Sequence, residues 1–293
     1  MSGPRSPLRS AGQRLRAYLE LTKPRITALL LLVAAASFLL ARPGTPDWGG
    51  LLALAGCLWL LAAGLFAINH FQERELDARM LRTRSRPLPA GRLRPAEALG
   101  FGVGLSLLAL ASTTLRFGWV AGGVALFTLV SYLFVYTPLK LRTPYHAFLG
   151  AVSGATPPLL GWAAATGSLS PAAMLLGAVL FLWQFPHFLA IGALYAEEYR
   201  AAGVRVLPAE RPTQSLGVLA GSQVLLVLAS FATVPAGLSR PEYLGGAGLL
   251  GALYLAVGWL AVRRGRPRDF RRLILASVLY LAALFLLLLA LRA

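Results

Sequence analysis

Apolar residues come in blocks of about twenty, the length that carries an α-helix across a hydrocarbon core of roughly 30 Å, and polar residues are confined to the connections. Nine blocks recur, at 26–41, 50–68, 97–115, 118–137, 146–166, 171–194, 215–237, 242–262 and 273–291. The first is short at these limits and borrows from the segment around Leu21 to Pro24. The pattern predicts an all-α integral membrane protein, a bundle of nine transmembrane helices. It divides into a basic N-terminal arm, 1–25, and a single polytopic domain, 26–293. No soluble domain, low-complexity linker or short-period repeat is legible.

Composition agrees: 57% of the 293 residues are hydrophobic and 13% charged, against about 25% charged in soluble domains, and the mean hydropathy is +0.67. Charge then orients the chain. Of 28 Lys and Arg, 24 fall in the N-terminal arm and the even-numbered connections, leaving Arg42, Arg116, Arg240 and Arg292 for the other face. The positive-inside rule places the N-terminus in the cytoplasm and, after nine spans, the C-terminus outside. The net charge of +17 follows from that topology and from attraction to anionic lipid, about 1 kcal/mol per basic group near the surface. Basic residues split among membrane loops argue against a nucleic-acid partner. Cys57 is the single cysteine, inside an apolar block, which excludes an intramolecular disulfide and a cysteine metal cluster. The arm carries Arg, Ser and one acid, Glu20. It is short for a mitochondrial transit peptide and lacks a cleavable signal pattern, so the reading is a multi-pass bacterial inner (plasma) membrane protein.

The candidate chemistry lies in the even connections. Asn69, Glu73 and Asp77 are spaced i, i+4, i+8, which on a helix makes one polar stripe about 12 Å long. Glu73 and Asp77 are like charges at i, i+4, an arrangement a solvated face has no need of; a neutralised pair such as Glu75 with Arg79 is the structural alternative. The three are hard oxygen ligands suited to Mg²⁺, which takes one or two carboxylates together with water and substrate phosphates. Arg82 and Arg86 would face the same anion with guanidinium forks. The sixth connection repeats the theme with Glu197, Glu198, Tyr199, Arg200 and Arg205, and the fourth adds Lys140 and Arg142. Two acidic clusters beside cations at one face fit a diphosphate with bridging Mg²⁺.

These segments carry a resemblance. LTKPRIT (21–27), N-x-x-x-E-x-x-x-D (69–77), RTRSRPLPAG from Arg82, YTPLKLRTP from Tyr136, GATPPLLGW from Gly154 and WQFPHF followed by YAEEYRAAGVRVLP resemble the protoheme IX farnesyltransferases (heme O synthases), a branch of the UbiA-type intramembrane prenyltransferases. The match runs from Leu21 to the end of the chain. It departs where the family usually has Asp: here Glu73, Glu197 and Glu198 stand, one methylene longer and still hard oxygen ligands. Leu141 and His146 also differ from the common pattern.

The resemblance implies a nine-helix bundle with a cytoplasmic active-site mouth and transfer of a farnesyl group from farnesyl diphosphate to a vinyl group of protoheme IX, with water added, to give heme O. It assigns Mg²⁺ to Asn69, Glu73, Asp77, Glu197 and Glu198, and the diphosphate to Arg82, Arg86, Lys140 and Arg142. A heme A synthase or a heme-copper oxidase is the implied customer. His187 lies ten residues before Glu197, about 15 Å along a helix, where an ionisable residue is a functional hypothesis by default. The resemblance gives it a heme-related role, as axial ligand or vinyl positioner, with Pro186 available to kink the helix. A histidine bonded to a neighbouring helix is the structural alternative, and His70 and His146, at loop edges, are read as structural. The rivals are a same-fold enzyme acting on a quinone precursor or chlorophyll-like acceptor, and a transporter or non-catalytic heme-binding membrane protein.

Overall fold

Prolines and glycines set the helix ends. Pro24, Pro95, Pro171, Pro212 and Pro267 open helices, where the missing N–H has no intrahelical partner to lose, while Gly167 and Gly265 follow helix ends at φ 72° and 62°, the left-handed closure that glycine adopts without strain. The computed structural model describes residues 11–42 and 44–293; the first ten residues of the arm and Pro43 lie outside the described residues. The chain runs α1 (Ala11–Leu21), α2 (Pro24–Ala41), α3 (Trp48–Arg79), α4 (Pro95–Val130), a π-helical turn (Ser131–Tyr136), α5 (Thr137–Leu139), α6 (His146–Gly154), α7 (Thr156–Thr166), α8 (Pro171–Leu194), α9 (Ala196–Ala201), α10 (Leu207–Glu210), α11 (Pro212–Phe231), α12 (Tyr243–Arg264) and α13 (Pro267–Ala290).

Among the described residues, 7 helices are long and apolar enough to cross a membrane. Three of the nine sequence blocks account for the difference. Blocks 97–115 and 118–137 fall in one helical stretch, Pro95–Leu139, interrupted at Gly118 with φ 83° and ψ 178°. On a straight helix Thr114 and Gly122 would be about 12 Å apart. Here a Cβ placed on Gly122 would come 3.1 Å from the Thr114 Cβ, so the chain folds back at Gly118. Block 146–166 is divided at Ala155 into α6 and α7, because Pro157 and Pro158 withhold two N–H donors and their rings crowd the carbonyls four residues earlier.

The membrane-length helices pack around two large apolar clusters, with two smaller ones beside them. One joins α8, α11, α12 and α13 through Leu180, Leu226, Tyr254 and Leu284; the other joins α3, α4 and α7 through Leu58, Leu61, Leu129 and Leu160. Helix α2 belongs to both, with Val33 and Ala36 in the first and Ala34 and Phe38 in the second. Lipid is as apolar as these side chains, so close van der Waals approach holds such helices together. At the α3–α4 crossing a Cβ on Gly64 would come 2.7 Å from the Ser106 backbone nitrogen, and one on Gly102 2.9 Å from that of Ile68. Gly161 of α7 lies against the Ala34 backbone in the same way.

Candidate active site

Helix α3 is longer than a membrane requires. Its 32 residues span about 48 Å against a core of roughly 30 Å, so its last turns carry polar side chains beyond the apolar block. Asn69, Glu73 and Asp77 share one face there and line a cleft of about 230 Å³. Each has a cationic partner. Lys23 Nζ donates to Asn69 Oδ1 at 3.2 Å, Lys140 is ion-paired with Glu73, and Arg86 Nη1 lies 2.8 Å from both carboxylate oxygens of Asp77. Burial opposes the Lys140 charge, but Glu73 beside it outweighs that and holds the ammonium well above its ordinary range.

The end of α3 makes the Arg86 contact. A continued helix would place Arg86 about 13 Å along the axis from Asp77. Instead the helix stops at Met80, the Thr83 hydroxyl donates to the Asp77 carbonyl at 2.9 Å, and the turn returns Arg86 to Asp77. Arg82 also lines the cleft; its guanidinium bonds the Tyr199 hydroxyl at 3.0 Å and lies 5.0 Å from the Tyr195 ring centre.

A second cavity, of about 420 Å³, has mainly apolar walls and shares Lys23, Tyr132, Tyr136 and Phe188 with the first. Tyr132 and Tyr136 come from the π-helical turn, a distortion frequent at functional sites. Gln72 of α3 braces it by donating to the Leu133 carbonyl at 3.1 Å. His187 faces this chamber from α8, beside Trp183 and Phe188.

Not every expected site residue is brought in. Of the five oxygen donors assigned to Mg²⁺, Asn69, Glu73 and Asp77 converge, whereas Glu197 and Glu198 do not line the cleft. Among the described residues no three His, Cys, Asp or Glu side chains form a metal-sized group. The reason is local: α8 ends at Tyr195, whose φ of −117° breaks the helix, and a separate short helix, α9, begins at Ala196. The Glu197 side chain is 97% exposed and pairs loosely with Arg200 at 3.7 Å, and Glu198 Oε1 accepts the Arg82 backbone N–H at 2.7 Å. Arg142 is exposed outside the cleft, its carbonyl accepting from Arg205 Nη1 at 2.9 Å.

Three wall residues escaped sequence reasoning. Lys23, Tyr132 and Tyr136 belong to both cavities. Lys23 holds φ 47° and ψ 60°, and is the positive-φ non-glycine among the described residues, a strain typical of functional positions. Its ammonium lies 4.6 Å from the Phe66 ring centre, and burial, with Arg86 adding repulsion, pushes it down to about 7. The available signal was a lysine immediately before the proline that opens the first apolar block. His146 lines the cleft while its Nδ1 bonds the Thr143 carbonyl at 3.0 Å. His70 is not at a loop edge: it is buried inside α3.

Comparison with known proteins agrees with this architecture. Residues 29–289 match the UbiA prenyltransferase family. A protein of Solibacter usitatus named protoheme IX farnesyltransferase is 40% identical over 285 residues, covering 92% of this chain and 97% of that relative. One of the same name from Sorangium cellulosum is 44% identical over 246 residues, covering 83% and 88%. The fold is shared with a solved structure described as digeranylgeranylglyceryl phosphate synthase, at TM-score 0.78 and 20% identity, covering 94% of this chain and 98% of that one. It is shared also with a UbiA homolog from Archaeoglobus fulgidus bound to GPP and Mg²⁺, at TM-score 0.67 and 17% identity, covering 93% and 99%. With nearly the whole chain matched, it belongs to the UbiA prenyltransferase family.

Proposed function

We propose that this chain transfers a farnesyl group from farnesyl diphosphate to a vinyl group of protoheme IX, with addition of water, giving heme O and diphosphate. The observation that carries the reaction type is a cleft lined by acids and cations opening directly on an apolar chamber, four residues being common to both walls. The relatives' name and His187 in that chamber support heme as the acceptor.

The polar cleft takes the diphosphate. Lys23, Arg82, Arg86 and Lys140 line it and stabilise the charge that develops on the leaving oxygens, a contribution of about 3–4 kcal/mol for a well-placed donor. Asn69, Glu73 and Asp77 fit Mg²⁺, since the donors are all oxygen and two carboxylates plus substrate phosphates are its usual protein-side set. When bound, the ion supplies Lewis-acid stabilisation of the diphosphate. Arg86 and Lys140, now paired with those carboxylates, are then free to turn to phosphate oxygens. Glu198 acts from outside, holding the Arg82 backbone.

The isoprenoid tail lies in the chamber, gaining roughly 0.8 kcal/mol per CH₂ removed from water. The chamber's volume of about 420 Å³ is in the range of ligand pockets. Breaking the C1–O bond leaves an allylic cation beside the Tyr132 and Tyr136 rings, whose faces favour positive charge. The vinyl group attacks C1, and the cation this creates on the porphyrin side chain takes up water and releases a proton. We read the chain as crossing the bacterial inner membrane nine times, the fold-back at Gly118 and the divided α6–α7 unit each adding one crossing to the seven long helices. The cleft then opens on the cytoplasmic side, where the basic residues gather, and the product passes to a heme A synthase or a heme-copper oxidase.

The test is an assay of purified membranes with protoheme IX, farnesyl diphosphate and Mg²⁺, resolving hemes by chromatography and mass. A heme carrying the farnesyl and hydroxyl additions, missing in Asp77→Ala, is the expected result. No new heme from protein that still binds Mg²⁺ and farnesyl diphosphate would exclude this acceptor and direct the search to quinone precursors.

A further inference from the structure

The His187 imidazole is held by three contacts, all from its own helix α8 or from α13. Its Nδ1 lies 2.7 Å from the Ser277 hydroxyl, the Trp183 indole stacks on it at 4.8 Å and 19°, and the Phe188 ring leans against it at 5.7 Å. Trp183 is fixed in turn, its indole N–H donating to the Ser277 backbone carbonyl at 2.6 Å. Ser277 of α13, fully buried, therefore holds the histidine through its side chain and the ring stacked on that histidine through its backbone.

The hydrogen bonds also decide which imidazole nitrogen carries the proton. A serine hydroxyl has one hydrogen to give, and the Ser277 hydroxyl lies 2.7 Å from the Ile274 carbonyl one turn earlier. With its proton committed there, Ser277 Oγ can only accept, so Nδ1 of His187 is the donor and Nε2 carries the lone pair. The bonded nitrogen faces α13, and His187 is part of the chamber wall. A neutral imidazole with Nδ1–H anchored and Nε2 bare is the form that ligates iron, and the anchoring bond sets both its orientation and its basicity.

We propose that Ser277 is a positioning residue for the acceptor heme: by accepting the Nδ1–H of His187 it presents the bare Nε2 to the chamber as an axial ligand for the porphyrin iron. The inference rests on protoheme IX being the acceptor. It gives a residue outside every charged motif a part in acceptor selection, since iron ligation fixes the porphyrin centre and hence the distance from its vinyl edge to the farnesyl cation. An acceptor without a metal has no use for this arrangement.

The experiment uses the full chain, purified with protoheme IX. In the ferrous state, resonance Raman reads the iron–histidine stretch, which drops in frequency when the imidazole loses the acceptor on its Nδ1–H. Ser277→Ala is expected to shift that band down and weaken heme binding about 10- to 100-fold, with binding of farnesyl diphosphate and Mg²⁺ unchanged. Ser277→Thr, which keeps the hydroxyl, is expected to restore the band, a recovery that a packing role alone would not produce. An unchanged band and affinity in Ser277→Ala overturns the proposal, as does a wild-type spectrum in His187→Ala, which would place the ligand elsewhere. Wild-type protein that binds farnesyl diphosphate but not heme would instead sink the choice of acceptor on which the proposal stands.

Discussion

The two acidic clusters read alike in sequence and differ in space. Glu73 and Asp77 remain on a continuous helix; their side chains are 11% and 5% exposed, and a cation is paired with each. Glu197 and Glu198 follow a helix break, and the first is exposed to water while the second bonds the Arg82 backbone. A carboxylate in a low-dielectric cleft feels neighbouring charge several times more strongly than one in water. Glu73 and Asp77 are thus placed to feel a neighbouring charge more strongly than the exposed Glu197. The proposed function therefore rests on the cluster that the helix keeps buried.

The largest effect that can break this comparison is on turnover. Glu73→Ala with Asp77→Ala is expected to reduce heme product by about 10³-fold or more, and chelation of Mg²⁺ to do the same in the unaltered protein. Lys140→Ala follows, at about 10²-fold, since it removes a cleft cation and strands a buried Glu73 charge; kcat from single-turnover product formation reads it. Glu198→Ala should cost about tenfold, the equivalent of one charge-assisted hydrogen bond lost from the Arg82 turn, and Glu197→Ala less than about twofold, as for an exposed pair. A loss for Glu197→Ala as large as that for Asp77→Ala would mean that substrate draws the second cluster into the cleft. The smallest effect concerns stability at the ion pair between α1 and Arg92. The hydrogen bond from Arg92 holds the Glu20 carboxyl below its usual range. The stability it confers is present above the ordinary Glu value of about 4.3 and disappears as pH falls through the lower folded value. Thermal melts of Glu20→Gln should show at most about 0.5 kcal/mol lost near neutrality and a flatter profile below about pH 4.

Much of the first cluster was legible because helix geometry is local. The spacing of Asn69, Glu73 and Asp77 predicts a shared face whatever surrounds it, and the cleft contains all three. Arg86 was legible as a cation near that face, but its grip on Asp77 depends on the turn that follows Met80. The position of the second cluster was not legible, because proximity in sequence to the membrane edge carries no information about the helix break at Tyr195. Lys23 was quoted within LTKPRIT but missed as a site residue, because only the packing of α2 beside α3 brings it to Asn69.

The sequence by itself determined that the chain is helical and membrane-embedded, which connections are rich in arginine, and which helix carries Asn69, Glu73 and Asp77. These follow from hydrophobic length, charge bias and the 3.6-residue period, properties of segments read one at a time. Tertiary structure alone decided the pairing of each acid with its cation, the joining of a polar cleft to an apolar chamber, and the bond from His187 to Ser277, which are 90 residues apart. Those contacts depend on how one helix is rotated against another, and that rotation is set by side chains of several segments packing at once.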